Sequence, residues 1–126
     1  HEEVGFESFV AYVKQYGPPR AVFAAGDYLA LGVIRACREL GLAVPEQLAV
    51  LGSTGLDVAT YSHPPLTVLD TLMAQMGANA GQMLLEMARE GFRRMAGRYA
   101  QADLTIRESC PIPADLLERE QAALNE

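Results

Sequence analysis

Between Ala21 and Gly52 the chain passes through a short apolar run, a helical stretch and a second short apolar run. That order constrains the fold more than any other feature. Two short strands joined by a helix pair in parallel, because a long crossover is what returns the chain to the same end of a sheet. Ala21 to Ala25 (AVFAA) has the length of a buried strand. Gly26-Asp27 turns the chain, with Asp27 placed to N-cap the next helix. That helix carries Ala30, Val33, Ile34, Cys37 and Leu40 on one face, and Gly41 suits the position just past its end. Pro45 breaks the connection, and Leu48 to Gly52 is the second strand.

The alternation extends in both directions. Upstream, Phe6, Phe9, Val10 and Val13 form one apolar helical stripe that ends at Gly17-Pro18-Pro19. Downstream, Ser53 to Pro65 is the longest loop, and Leu66 to Leu69 is a brief third strand. A long helix capped by Asp70 or Thr71 follows, with Met73, Met76, Gly77, Ala80, Leu84 and Met87 on its apolar or small face. Gly77 and Gly81, one turn apart, are read as points of close approach to the sheet. Gly91 to Gly97 is a linker, and Ala102 to Arg107 alternates as a strand with Leu104 and Ile106 inward. Pro113 opens a short polar helix through Leu116, Leu117 and Leu124. The pattern predicts an α/β fold: a three-layer sandwich with a mainly parallel sheet and helices on both faces. At 126 residues, positions 1–126 form one domain with one core.

Composition narrows the function classes. The net charge of −6 leaves no basic face of the kind that grips nucleic acid. The Arg89, Arg93, Arg94 and Arg98 group reads as cations at a helix end, where the backbone dipole favours them. Cys37 and Cys110 have no CxxC spacing, which fits a reduced, intracellular setting better than a disulfide scaffold. No apolar run approaches the ~18 residues of a membrane span. The start at His1, without an initiator methionine and directly in a helix lead-in, is read as that of a fragment of a longer protein.

Catalytic patterns fail on spacing. The run "VLGSTGLD", Val50 to Asp57, is the most loop-like candidate, but a nucleophile elbow needs Gly-x-Ser-x-Gly, and Ser53 directly follows Gly52. His63 lies in a proline loop and His1 at the terminus, so no base accompanies Ser53. A Walker cradle needs a Gly-Lys-Ser/Thr step, whereas the single lysine is Lys14 in the first helix. No metal-ligand spacing is present. These spacings disfavour cofactor, metal and nucleophile chemistry. What remains is geometric, since ligands of open parallel sheets bind outside the carboxyl ends of the strands. Three such ends are small and polar: Gly26-Asp27, Ser53-Thr54 and Asp70-Thr71. They suit a small polyhydroxylated ligand, although Asp27 and Asp70 equally suit plain helix caps.

A series of motifs then appears in order. Asp27, Ala30 and Gly32 fit Asp-x-x-Ala-x-Gly; Glu39, Gly41, Val44, Pro45 and Glu46 follow; then come a strand ending in Gly52, a Pro64, Leu66, Thr67 step, and Leu104, Arg107 and Ser109. From about Val4 to Ser109 the sequence resembles the ligand-binding core of the lactose/galactose repressor family. The resemblance implies the C-terminal lobe of a two-lobed effector domain, similar to periplasmic sugar-binding proteins. A preceding lobe and a helix-turn-helix head are expected upstream. It further implies a cytoplasmic, non-enzymatic transcription regulator that binds a sugar-like or nucleobase-like effector between its lobes. Such a regulator forms a homodimer, needs no cofactor or membrane, and touches DNA only through its head.

The family's effector positions fall here on Gly26, Asp27, Ser53, Thr54 and Met73. Thr54 stands where the family usually has an acid, so the pocket is either rebuilt, with Asp57 as the candidate replacement, or weakened. The family's dimer surface places Ala30, Val33, Ile34 and Tyr61 at a subunit interface, with a core role as the equal alternative. A lobe of a transporter's periplasmic solute-binding protein is the competing reading, and an α/β hydrolase domain a more distant one.

Overall fold

The apolar stripe of Phe6, Phe9, Val10 and Val13 builds helix α1 (Glu2–Tyr16), which packs on the core along that stripe. In the computed structural model, residues 1–91, 97, 101–113 and 115–116 are described. Strand β1 (Ala21–Phe23) leads into helix α2 (Asp27–Glu39), then β2 (Ala49–Thr54), β3 (Thr67–Asp70), α3 (Met73–Glu90) and β4 (Asp103–Thr105). The sheet order is β1-β2-β3-β4. The first two pairings are parallel and the last antiparallel, with Leu51 opposite Thr67 and Asp70 opposite Asp103. The α/β class and the mainly parallel sheet are those the sequence predicts.

Helix α2 lies between α1 and the sheet, so it buries more than one face: Ala30, Gly32, Val33, Ile34, Ala36 and Cys37 are all buried. Leu40, read as part of that face, sits at the helix end and is exposed. Two glycines permit the close α1–α2 approach. A Cβ at Gly5 would collide with the Leu29 carbonyl, and one at Gly32 with the backbone of Glu2 and Phe6. Backbone cannot swing aside as a side chain can. On the sheet side, Leu48, Val50, Leu66 and Val68 complete the core.

The return segment after β4 is stitched into the base of the sheet. Ser109 is fully buried. Its hydroxyl accepts the Thr67 N–H at 2.8 Å and donates to the Val50 carbonyl at 2.6 Å. Its backbone oxygen accepts the Val50 N–H at 2.8 Å, and its N–H donates to the Pro65 carbonyl. Thr67 answers by accepting the Arg107 N–H through Oγ1 at 2.8 Å, and the Arg107 guanidinium donates to the Leu66 carbonyl. The Leu104–Arg107–Ser109 motif thus closes hydrogen bonds that β2 and β3 would otherwise leave open where their mutual pairing stops.

Several local expectations are corrected. Asp27 is the first residue of α2 rather than its cap; glycine at the N-cap position, Gly26, offers no capping side chain. Neither Asp70 nor Thr71 caps α3, whose N-cap is Leu72 in a left-handed conformation. Strand β2 runs two residues past Gly52, so Ser53 and Thr54 belong to the sheet, and the loop after it holds a 3-10 turn at Asp57–Ala59. Leu104 and Ile106 are exposed, not inward, because nothing described covers that side of the edge strand β4. Helix α3 buries no residue, and no atom stands near a Cβ built at Gly77 or Gly81. The close approach read from those glycines is absent among the described residues. Most of the Gly91–Gly97 linker, Arg93, Arg94, Arg98, Leu117 and Leu124 lie outside the described residues.

Two outcomes follow from the packing. Gly32→Ala forces α1 and α2 apart and is expected to destabilise the fold by about 1–3 kcal/mol in denaturant titration. Cys37 is fully buried, and burial pushes its thiol up to about 11 from 9.0. Folding therefore favours the neutral thiol, so stability is complete below pH 9 and falls as pH rises towards 11. Iodoacetamide at neutral pH is expected to spare Cys37 in the folded protein and to label it in urea.

Candidate functional site

The site is built around a buried acid. Asp27 lies at the carboxyl end of β1 with 1 % of its surface exposed. Gly52 in the neighbouring strand makes its room, since a Cβ there would stand 2.8 Å from Asp27 Oδ1. The acid and the end of β2 exchange two hydrogen bonds. The Asp27 N–H donates to Thr54 Oγ1 at 3.3 Å, and the Leu56 N–H donates to Asp27 Oδ2 at 2.7 Å. The Thr54 hydroxyl donates in turn to the Ser53 carbonyl. Asp27 Oδ1 is buried without a hydrogen-bond partner among the described residues.

This clamp holds a turn in a conformation L residues rarely adopt. Thr54 has φ 143° and Gly55 φ 83°. Thr54 is a β-branched residue at positive φ, a strained position that survives only where surrounding contacts over-determine it. On the other side of the turn, the Asp70 carboxyl lies flat against Gly55, within 3 Å of where a Cβ would be. Asp70 Oδ1 accepts the Leu72 N–H at 2.8 Å and so fixes the step from β3 into α3.

Two adjoining hollows result at the strand ends. One, about 170 Å³, is lined by Gly26, Asp27, Tyr28, Thr54 and Leu56 among others. The second, about 380 Å³, is lined by Thr54, Gly55, Leu56, Asp70, Leu72 and Met73 with the start of α3. Thr54 and Leu56 form the ridge between them. Of the residues assigned to the effector from sequence, Gly26, Asp27 and Thr54 meet in the first hollow, and Thr54 and Met73 in the second. Ser53 pairs with Leu69 and lines neither. Asp57 is exposed, opens the 3-10 turn and lines neither. Leu56, which the sequence does not single out, lines both hollows, and Asp70, a polar strand end in the sequence, lines the larger.

A larger apolar groove of about 510 Å³ runs between α1 and the outer edge of β1, lined by Val4, Phe9, Tyr12, Phe23 and Leu29 among others. It carries no carboxylate or cationic side chain. Of the residues assigned to a subunit interface, Ala30 and Val33 are in the core, at 0 % and 4 % exposure. Ile34 is buried but still lines a shallow hollow with Tyr61, Arg35, Arg38 and His63. Tyr61 is 83 % exposed. Arg35 is anchored beside them by Glu3 at 3.0 Å and by the Phe6 ring, and Glu3 raises its pKa further. Among the described residues no group of three or more His, Cys, Asp or Glu could hold a metal ion, and no helix is long and apolar enough to cross a membrane.

The clamp predicts a graded mutational response. Asp27→Ala leaves the part-buried Leu56 N–H without its acceptor and is expected to cost about 1–2 kcal/mol. Asp27→Asn keeps an oxygen for that N–H and is expected to lose less. Equal losses in thermal or urea unfolding would show that the hydrogen bond does not hold the turn.

The periplasmic binding protein-like domain matches residues 2–110. The chain is 34% identical over 107 residues to the HTH-type transcriptional repressor PurR of Pasteurella multocida, covering 85% of this chain and 32% of that protein. It is 33% identical to the HTH-type transcriptional repressor CytR of Escherichia coli, again over 85% of this chain and 31% of the relative. Among solved structures, the transcriptional regulator CelR in complex with cellobiose superposes with a TM-score of 0.80 at 27% identity, over 86% of this chain and 33% of that one. The chain spans about a third of the length of the curated relatives it matches.

Proposed function

This chain belongs to the periplasmic binding protein-like domain family, in the form shared with lactose/galactose repressor-type regulators, and we propose that it is the C-terminal effector lobe of such a regulator. The observation that carries this reading is the state of α3 beside the hollows. Met73, Met76, Leu84 and Leu85 are each at least half exposed on a helix that buries nothing. An apolar surface of that kind marks a covered face in the working protein. A second lobe packed there would also close the hollow at Thr54, Asp70 and Met73 from its open side.

The effector is a small sugar-like or nucleobase-like molecule held between the lobes. The cellobiose complex of a related regulator supports a sugar. The protein is cytoplasmic and homodimeric, with Ile34 and Tyr61 on the subunit contact, and it reaches DNA through a helix-turn-helix head preceding this lobe. An acidic chain with net charge −6 does not itself supply phosphate contacts. Regulation requires that effector favour one arrangement of the lobes over another, because only differential affinity shifts such an equilibrium. The curated relatives are transcription regulators, which favours this reading over a transporter's solute-binding lobe.

Electrophoretic mobility shift on the DNA upstream of the protein's own coding region tests the proposal. The intact regulator is expected to bind, residues 1–126 alone are not, and the effector should move the midpoint by roughly 5–150-fold, the usual range of allosteric coupling. Binding of comparable strength by residues 1–126 alone would contradict it.

A further inference from the structure

We propose that Asp70 is a specificity-determining residue of the effector site, supplying the carboxylate that takes hydrogen bonds from hydroxyl or amino groups of the ligand. The inference rests on the effector-lobe reading above and deepens it. The acid expected at Thr54 is absent, and the hydroxyl that replaces it is engaged inside the protein, between the Asp27 N–H and the Ser53 carbonyl. Asp57, the replacement suggested by the sequence, faces neither hollow. Asp70 does line the larger one, among Thr54, Leu56, Leu72 and Met73.

Three features prepare it for that role. Gly55 has no side chain, and a Cβ there would occupy the place of the Asp70 carboxyl. The Leu72 N–H holds Oδ1 at 2.8 Å, which fixes the plane of the carboxylate before any ligand arrives. Oδ2 has no donor among the described residues, and Asp70 is only partly buried, so this oxygen is left to accept from the hollow. Asp103 stands opposite Asp70 on β4. None of the residues lining this hollow is Lys, Arg or His. Apart from Thr54, Gly55 and Gln75, the rest of the lining is Leu56, Leu72, Met73 and Ala74, an apolar floor beside one fixed carboxylate. Such a surface takes a ring that offers donors along one edge and a carbon face below.

The test is isothermal titration of the intact regulator with cellobiose and with adenine, which separates sugar hydroxyls from ring and amino N–H groups as the source of the donors. Asp70→Asn keeps an oxygen for the Leu72 N–H but replaces the anionic acceptor. It is expected to weaken whichever probe binds by at least about tenfold, with the melting temperature unchanged. Asp70→Ala is expected to weaken binding as much and also to lower the melting temperature. If Asp70→Asn binds the probe as the unsubstituted protein does, Asp70 only shapes the turn, and the inference is overturned while the effector reading stands. If the unsubstituted protein binds neither probe, the donor classes assigned to the site are wrong, and the inference falls with them. The mobility-shift comparison of the intact regulator with residues 1–126 then decides the effector reading separately.

Discussion

A single carboxyl group at the end of β1 sets the form of everything around the candidate site. Asp27 is out of solvent, and burying a polar group without hydrogen bonds costs several kcal/mol. The structure meets this in part through the Leu56 N–H, and the Asp27 N–H is itself taken up by Thr54. Gly52 is the other half of the arrangement, because only a residue without a side chain leaves space for Oδ1. Together these ties draw the end of β2 over the start of α2 and hold Thr54 and Gly55 at positive φ. The ridge between the two hollows is the direct consequence.

That ridge gives the proposed function a physical basis. A ligand seated in the larger hollow touches the turn clamped by Asp27 on one side and the β3–α3 step fixed by Asp70 on the other. Both are held by hydrogen bonds to backbone N–H groups, so the wall is formed before binding and little ordering entropy is lost on the ligand's arrival. The uncovered face of α3 begins at Met73, beside the same hollow. A lobe that covered α3 would sense whether the hollow is filled. The groove along β1 is larger but apolar, and it lacks the fixed polar groups that orient a small polar ligand.

Much of this was legible in the sequence, and the failures have identifiable causes. The strand–helix–strand order gave a parallel sheet, and the stripe of Phe6, Phe9, Val10 and Val13 gave α1, because burial periodicity follows directly from residue type. Gly52 and Ser109 appeared only as motif positions; their reasons, room for Asp27 and a stitch between β2 and β3, are three-dimensional. An acid before a helix suits either a cap or a cleft, so the sequence leaves both uses open for Asp27 and Asp70. Their actual partners, Leu56 and Leu72, follow from the path of the backbone through turns at positive φ, which composition does not announce. The spacing of Met73, Met76 and Leu84 marks an apolar face on α3, and no residue of that helix is buried among the described residues. For Ala30 and Val33 the resemblance left interface and core equally open, and in this lobe both are buried because α2 buries more than one face.

Hydrogen–deuterium exchange of the intact protein, with and without whichever of cellobiose and adenine binds it, tests the central proposal most directly: that the strand ends of this sheet form one wall of an effector cleft. The account predicts slowed exchange at the amides of Thr54 to Leu56 and Leu72 to Gln75 when ligand is present, with the α1–β1 groove unchanged. Protection centred on Val4 to Tyr12 and Val22 to Phe23, with the Thr54 and Leu72 turns unaffected, would contradict it.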